Sequence, residues 1–324
     1  MYLAAQSGDW VTAKSFIEHD PNALTATITA FTKKTVLHVA AYCWQWEFVL
    51  KLLELITSPD SIVVQDHHGQ TVLHDVAQGG SLKTAKALVL KNANLPQLVD
   101  KDGDPPLLYA VWSGNNSNKE LVWYLSLKTR FDSRTLLHSL PRILHNLILS
   151  GYHDIALYFV QRYPNLVIAK DKDGDHLLYW LATNPSSFFS GSNLGFLERW
   201  IYKSPSVKMV RDAKLKYECA DELVNHVCTQ LSSMRFQQTM HFLHNPKHIM
   251  ATAVTGGIQE IVKALFLHFP DLINVELMPE RNILQAAIEH RLVKIVNIIK
   301  DLFPIATKNM SSGKLESGNT TLHF

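Results

Sequence analysis

Apolar residues recur along this chain in short blocks, each followed by a second and longer apolar stretch. TVLHVAA at 35–41 and TVLHDVA at 71–77 set the phase. PPLLYAV (105–111), RILHNLI (142–148) and HLLYWLA (176–182) keep it, so the starts are spaced by 36, 34, 37 and 34 residues. Leu73 and Val76 lie three apart and share one helix face. Thr35 and Thr71 stand where a hydroxyl can cap a helix N-terminus. Ala40, Ala41 and Ala77 are small enough to let neighbouring helices approach closely. Gly80 and Gly151, six residues after His74 and His145, suit a helix end. The second stretches, EFVLKLLELI (47–56), LKTAKALVL (82–90) and DIALYFV (154–160), are amphipathic with a helical period. The pattern predicts an all-α solenoid of stacked helix pairs without a sheet, with Leu37, Leu73, Leu107 and Leu177 buried at equivalent positions.

Polar turns separate the repeats. The pentad DKDGD occurs at 100–104 and 171–175, two repeats apart, as expected of a turn at a fixed phase. The period is close to the roughly 33 residues of ankyrin repeats. LAAQSGDW at 3–10 reads as the end of a first short helix. Residues 250–270 and 283–304 read as two further helix pairs, and GNTTLH at 318–323 opens another repeat, making eight and a fragment. Residues 185–246 break the period: NPSSFFSGSN reads as a loop, while LGFLERWIY and CADELVNHVCTQL read as helices. The expected division is therefore an N-terminal ankyrin block at 1–184, an insertion or linker at 185–246, acting as an arm or a hinge, and a C-terminal block at 247–324. The pair at 283–304 is expected to present an uncovered apolar side, with 305–324 weakly held.

Composition adds limits. Hydrophobic residues at 47% and charged residues at 19% are enough for a continuous core. A net charge of +2 without a Lys/Arg run argues against nucleic acid as a partner. Cys43, Cys219 and Cys228 are too few and too scattered for a disulfide framework and suit a reducing, cytoplasmic compartment, where sequons at Asn115, Asn309 and Asn319 stay unmodified. No signal peptide opens the chain, and no apolar run is long enough for a membrane helix.

Beyond the generic repeat, several segments are more specific: AAQSGDWVTAKSFIEHDPNALTATIT at the start, SSFFSGSNLGFLERWIY, AVTGGIQEIVKALFLHFPDLIN and ILQAAIEHRLVKIV. In these the chain resembles the plant ankyrin-repeat proteins that carry a C-terminal, membrane-embedded PGG domain. The resemblance implies a protein-binding domain on the cytosolic side of a membrane and a role in defence or stress signalling. The family's membrane block has no counterpart in these residues, so membrane insertion is not expected of them.

Candidate chemistry is sparse. His38, His74, His138 and His145 recur with the repeat, which suits a bridge between turns better than a catalytic base. His241, His244 and His248, with His226 and Cys228 upstream, have spacings that zinc could use, but no CxxC supports them and Pro246 intervenes. Asp171, Asp173 and Asp175 place Gly174 fourth, where a calcium loop needs its glycine sixth. No cofactor, metal or catalytic site is therefore assigned, and an enzyme built on 185–246 is the remote alternative. Binding is expected on the concave surface of the stack, through a protein partner. Its candidate residues are Tyr42 and Cys43 in repeat two, with His67, His68, Gln70 and Gln78 in repeat three. Repeat four adds Lys101, Asp102, Asp104, Trp112 and Ser113, and repeat six adds Lys172, Asp173, Asp175, Thr183 and Asn184. Tyr42 and Trp112 are candidate anchors, Trp112 with burial against its neighbour as the alternative; Trp44 and Trp180 are read as packing residues.

Overall fold

The computed structural model describes residues 1–113, 119–190, 208–244, 248–274 and 282–312. They form eighteen α-helices joined by turns and short 3-10 segments. Among the described residues there is no strand, only isolated bridges at Thr27–Thr35 and Lys170–His176. The chain divides into two compact units, Met1–Asn146 and Leu147–Phe324.

In the first unit, helix pairs stack as the periodicity requires. The first helices of repeats one to four, Tyr2–Ser7, Val36–Tyr42, Val72–Gly79 and Pro106–Trp112, pack on one another in order. Their partners in repeats two to four, Trp46–Leu55, Leu82–Lys91 and Lys119–Lys128, form a second row. Leu37, Leu73 and Leu107 are all buried, as is Leu177 in the other unit. Ala40, Ala41 and Ala77 are fully buried where the short helices meet.

Helix ends follow a common rule. In repeats two, three, seven and eight the backbone turns left-handed nine residues after the capping position, at Trp44, Gly80, Gly257 and Arg291. Gly151 does so at the equivalent place in repeat five, whereas in repeat six that place is Pro185. Gly80 does this without strain at φ 85°. Trp44 and Arg291 carry side chains at φ 59° and 56°, a conformation that costs on the order of 1–2 kcal/mol. Trp44 was expected to be a packing residue; it is 68% exposed, because this backbone turn swings it out over Gly79. Trp180 is buried.

Repeat five departs from the expected start at 142. Its first helix runs through Pro141 as a single element, Arg134–Leu149, yet Gly151 still falls nine residues after Arg142. The register is as expected, and the helix has gained two turns at its N-terminus. His138 lies on that extension, exposed, so it does not share the bridging role of His38 and His74.

The second unit changes the reading of 185–246. Helix Lys208–Ser232 packs against Leu177–Ala182 and lies between His153–Arg162 and Gln259–His268. It is the second helix of repeat six, 25 residues long. The extra residues therefore split one repeat between its two helices, and the stack continues through Ile249–Thr255 and Ile283–Glu289. The start of the inserted stretch is tied down: Ser187 bonds buried His153 at 2.9 Å, and Phe188 is fully buried. The Ser190 N–H donates to Glu260 Oε1 at 3.0 Å, and its hydroxyl donates to the same carboxylate. LGFLERWIY lies outside the described residues.

The C-terminal expectation is also corrected. Helix Pro304–Ser312 packs against both Ile283–Glu289 and Val293–Leu302, so the last pair is partly covered rather than bare, with Val293 and Leu302 still exposed. GNTTLH lies outside the described residues.

Two substitutions test this packing by denaturant unfolding. Leu73→Ala should cost about 2–5 kcal/mol, and a loss below about 0.5 kcal/mol would show that the repeat phase is wrong. Gly69→Ala should destabilise as well. Gly69 has φ 82°, and a Cβ there would lie 2.9 Å from the Lys101 backbone nitrogen.

Candidate interaction surface

Three turns are built alike. In Asp66–Gln70, Asp100–Asp104 and Asp171–Asp175, the first carboxylate accepts the backbone N–H groups two and four residues on, at 2.8–3.0 Å. The backbone closes each turn from the first residue to the fifth carbonyl, at 2.8, 3.0 and 2.8 Å. The glycine at the fourth position is left-handed in all three, at φ 80–82°. The paired pentads were legible as turns; the third copy, DHHGQ, was hidden because only Asp66 and Gly69 of its five positions match. In the first unit successive turns are also bonded to each other: the His67 N–H donates to the Thr32 carbonyl at 2.8 Å, and the Lys101 N–H to the His68 carbonyl at 3.0 Å.

Histidines fix these turns to the helices. The Thr71 N–H donates to His74 Nδ1 at 2.9 Å, while His74 Nε2 donates to the Asp104 carbonyl of the next repeat at 3.1 Å. His38 does the same between Thr35 and the Gln70 carbonyl, at 3.4 and 3.2 Å. Both rings are buried and neutral in this arrangement. Burial holds each near pH 4, well below the ordinary value, and Lys34 adds to the effect on His38. His176 also falls to about 4 by burial, stacked on Phe242 at 3.7 Å. Lys34 Nζ sits 3.1 Å from Asp75 and 3.7 Å from Asp66, over the Tyr42 ring at 4.8 Å. Burial pushes Asp75 up to about 6 against the opposing pull of Lys34.

The candidate residues separate on this frame. Tyr42, His67, His68, Gln78, Lys101, Asp102 and Trp112 are exposed in the first unit, and Lys172, Asp173 and Thr183 in the second. Tyr42 is 64% exposed and Trp112 46%, the latter edge-on to Tyr109 at 5.2 Å. Cys43, Ser113, Asp175 and Asn184 are half-buried; Asn184 donates to the Ile148 carbonyl at 3.4 Å. Two expectations are corrected. Asp104 is only 2% exposed and pairs with Arg142, so its side chain is committed to the fold. Gln70 is half-buried: its amide donates to the Tyr109 hydroxyl at 2.8 Å, and that hydroxyl donates to Asp100 at 2.6 Å. Phe31, 92% exposed at the tip of the turn before repeat two, was missed. Its turn, AFTKK, has Lys33 at the glycine position, at φ 52°, and so hides its kinship with the others.

Among the described residues no three His, Cys, Asp or Glu side chains are placed to share a metal ion. Cys228 is buried, which pushes its thiol up to about 12, and His226 pairs with Glu222 at 3.7 Å. No helix of the described residues is long and apolar enough to cross a membrane.

These turns, histidine bridges and helix pairs define an all-α ankyrin-repeat fold. A family model of ankyrin repeats, in three copies, matches residues 47–135. The putative E3 ubiquitin-protein ligase XBAT31 of Arabidopsis thaliana is 31% identical over 115 residues. That match takes in 36% of this chain and 24% of the relative, so the chain spans about a quarter of that protein's length.

The buried histidines set a pH dependence. Their folded pKa lies below the unfolded one, so their stabilisation is full above about pH 6.5 and is lost as pH falls towards 4. Asp75, raised, acts oppositely, its cost being relieved as pH drops below about 6. Three histidines, His38, His74 and His176, against one buried carboxylate should leave a net loss on the order of 5 kcal/mol between pH 7 and 4. Urea midpoints across this range check it, and His74→Gln should flatten the slope.

Proposed function

We propose that this chain is a scaffold or adaptor that binds a partner protein through the turn tips and first-helix ends of repeats two to four. The observation that carries the reading is the division of labour just described. The inward positions are consumed by turn and histidine bonds, whereas His67, His68, Lys101 and Asp102 are left exposed on bonded turns and Tyr42, Gln78 and Trp112 at the ends of the packed first helices. Rigid presentation lowers the entropy lost on binding. The equivalent positions Lys172, Asp173 and Thr183 offer a second candidate surface within the other unit. No catalytic role is proposed for these residues.

A finer reading follows from the segments that resemble the plant PGG-type ankyrin proteins. On it, the chain acts on the cytosolic face of a membrane in defence or stress signalling, with any anchoring supplied outside the helices described. The ligase named above offers no activity to carry over, since the match spans about a quarter of its length.

The test is a partner recovered by affinity capture with the full chain. Tyr42→Ala combined with Trp112→Ala should weaken its binding at least tenfold, as loss of exposed aromatic anchors does, while the melting temperature stays nearly unchanged. Undiminished binding by the folded double variant would move the site away from this face.

A further inference from the structure

We infer that the surface of repeats two to four accepts an extended, proline-containing acidic segment of its partner, lying across the repeats. This rests on the interaction surface proposed above and names the chemistry of what it holds.

The first observation is a row. Tyr42, Gln78 and Trp112 each stand seven residues after the capping position of their repeat, and all three are exposed. They are carried by Val36–Tyr42, Val72–Gly79 and Pro106–Trp112, which pack side by side. Packed helices lie about 8–10 Å apart. A polyproline II segment has three residues per turn and advances about 9 Å in that turn. Such a segment laid across the stack meets one row residue with every third side chain. Its prolines meet the flat rings of Tyr42 and Trp112, the surface that proline-rich ligands select. Its carbonyls have no internal partners and face the Gln78 amide between the rings.

The second observation is charge. The carboxylates Asp66, Asp75, Asp100 and Asp104 of these repeats are buried, turned towards turn N–H groups, the Tyr109 hydroxyl and ion pairs. The exposed turn tips carry the cations Lys33 and Lys101, beside His67 and His68, against Asp102 as the one exposed acid among the three turns 30–34, 66–70 and 100–104. The row itself carries no acid. The edge beside the aromatic row thus carries a small net positive charge, with its other carboxylates turned inward. Complementarity calls for acidic side chains on the edge of the segment that faces the tips.

The test uses the full chain and fluorescence anisotropy of three labelled peptides of equal length, built from Pro-Pro-Glu, Pro-Pro-Lys or Gly-Ser-Glu triplets. The Pro-Pro-Glu peptide should bind saturably and weaken with added salt. The other two should bind at least tenfold more weakly, one for lack of charge complementarity and one for lack of stiffness and rings. Tyr42→Ala with Trp112→Ala should lower Pro-Pro-Glu affinity at least tenfold. Lys101→Glu should lower it as well, and both variants should keep the helical circular dichroism of the parent chain. Equal binding of the acidic and basic peptides, no binding of Pro-Pro-Glu, or indifference to the aromatic double variant would each overturn the inference. If the peptide fails yet a captured partner still depends on Tyr42 and Trp112, the interaction surface stands and only its assigned chemistry falls. If the captured partner ignores that pair, the surface itself is wrong.

Discussion

A neutral imidazole shared between two repeats is the contact on which the rest of this structure depends. His74 accepts the Thr71 N–H at Nδ1 and donates from Nε2 to the Asp104 carbonyl, so it closes its own helix start and grips the next turn at once. A single helix pair buries too little apolar surface to stand alone, and repeats hold only through their neighbours. The imidazole makes that dependence directional, because its two nitrogens play opposite roles only while the ring is uncharged. Protonation would set two donors, the ring and the Thr71 N–H, against each other in a buried site. The same arrangement at His38 means that helix capping, turn placement and inter-repeat attachment share one chemical state.

The turns solve a matching problem at the other end. A tight five-residue loop leaves backbone N–H groups pointing inward, and one aspartate oxygen satisfies two of them in each of three turns. This use of carboxylates has a consequence for recognition. Acids are drawn inside, so lysine and histidine dominate the tips in the first unit. The surface charge there follows from how the turns are held together and not from the overall composition. Asp75 shows the cost of the same economy: burial raises it, and Lys34 must lie across it, held in turn against the Tyr42 ring.

Much of this was written in the local pattern. Thr-x-x-His, the apolar spacing and a glycine nine residues on are local demands of capping, burial and a left-handed turn, so their recurrence alone determined the all-α repeat, the phase and the buried leucines. Positions just outside those demands were legible as candidates for binding because nothing local explained them.

Tertiary packing decided the rest. Asp104 reads as a turn residue like Asp102, and only its Arg142 partner, 38 positions later, makes it structural. Trp44 reads as core, yet it sits where the helix pair needs a left-handed residue and is turned outward. Lys208–Ser232 reads as part of an insertion, because the long stretch before it breaks the period; its place as the second helix of repeat six exists only through its packing between His153–Arg162 and Gln259–His268. Periodicity records what each residue needs from its near neighbours along the chain, and these three outcomes depend on groups that sequence distance keeps apart.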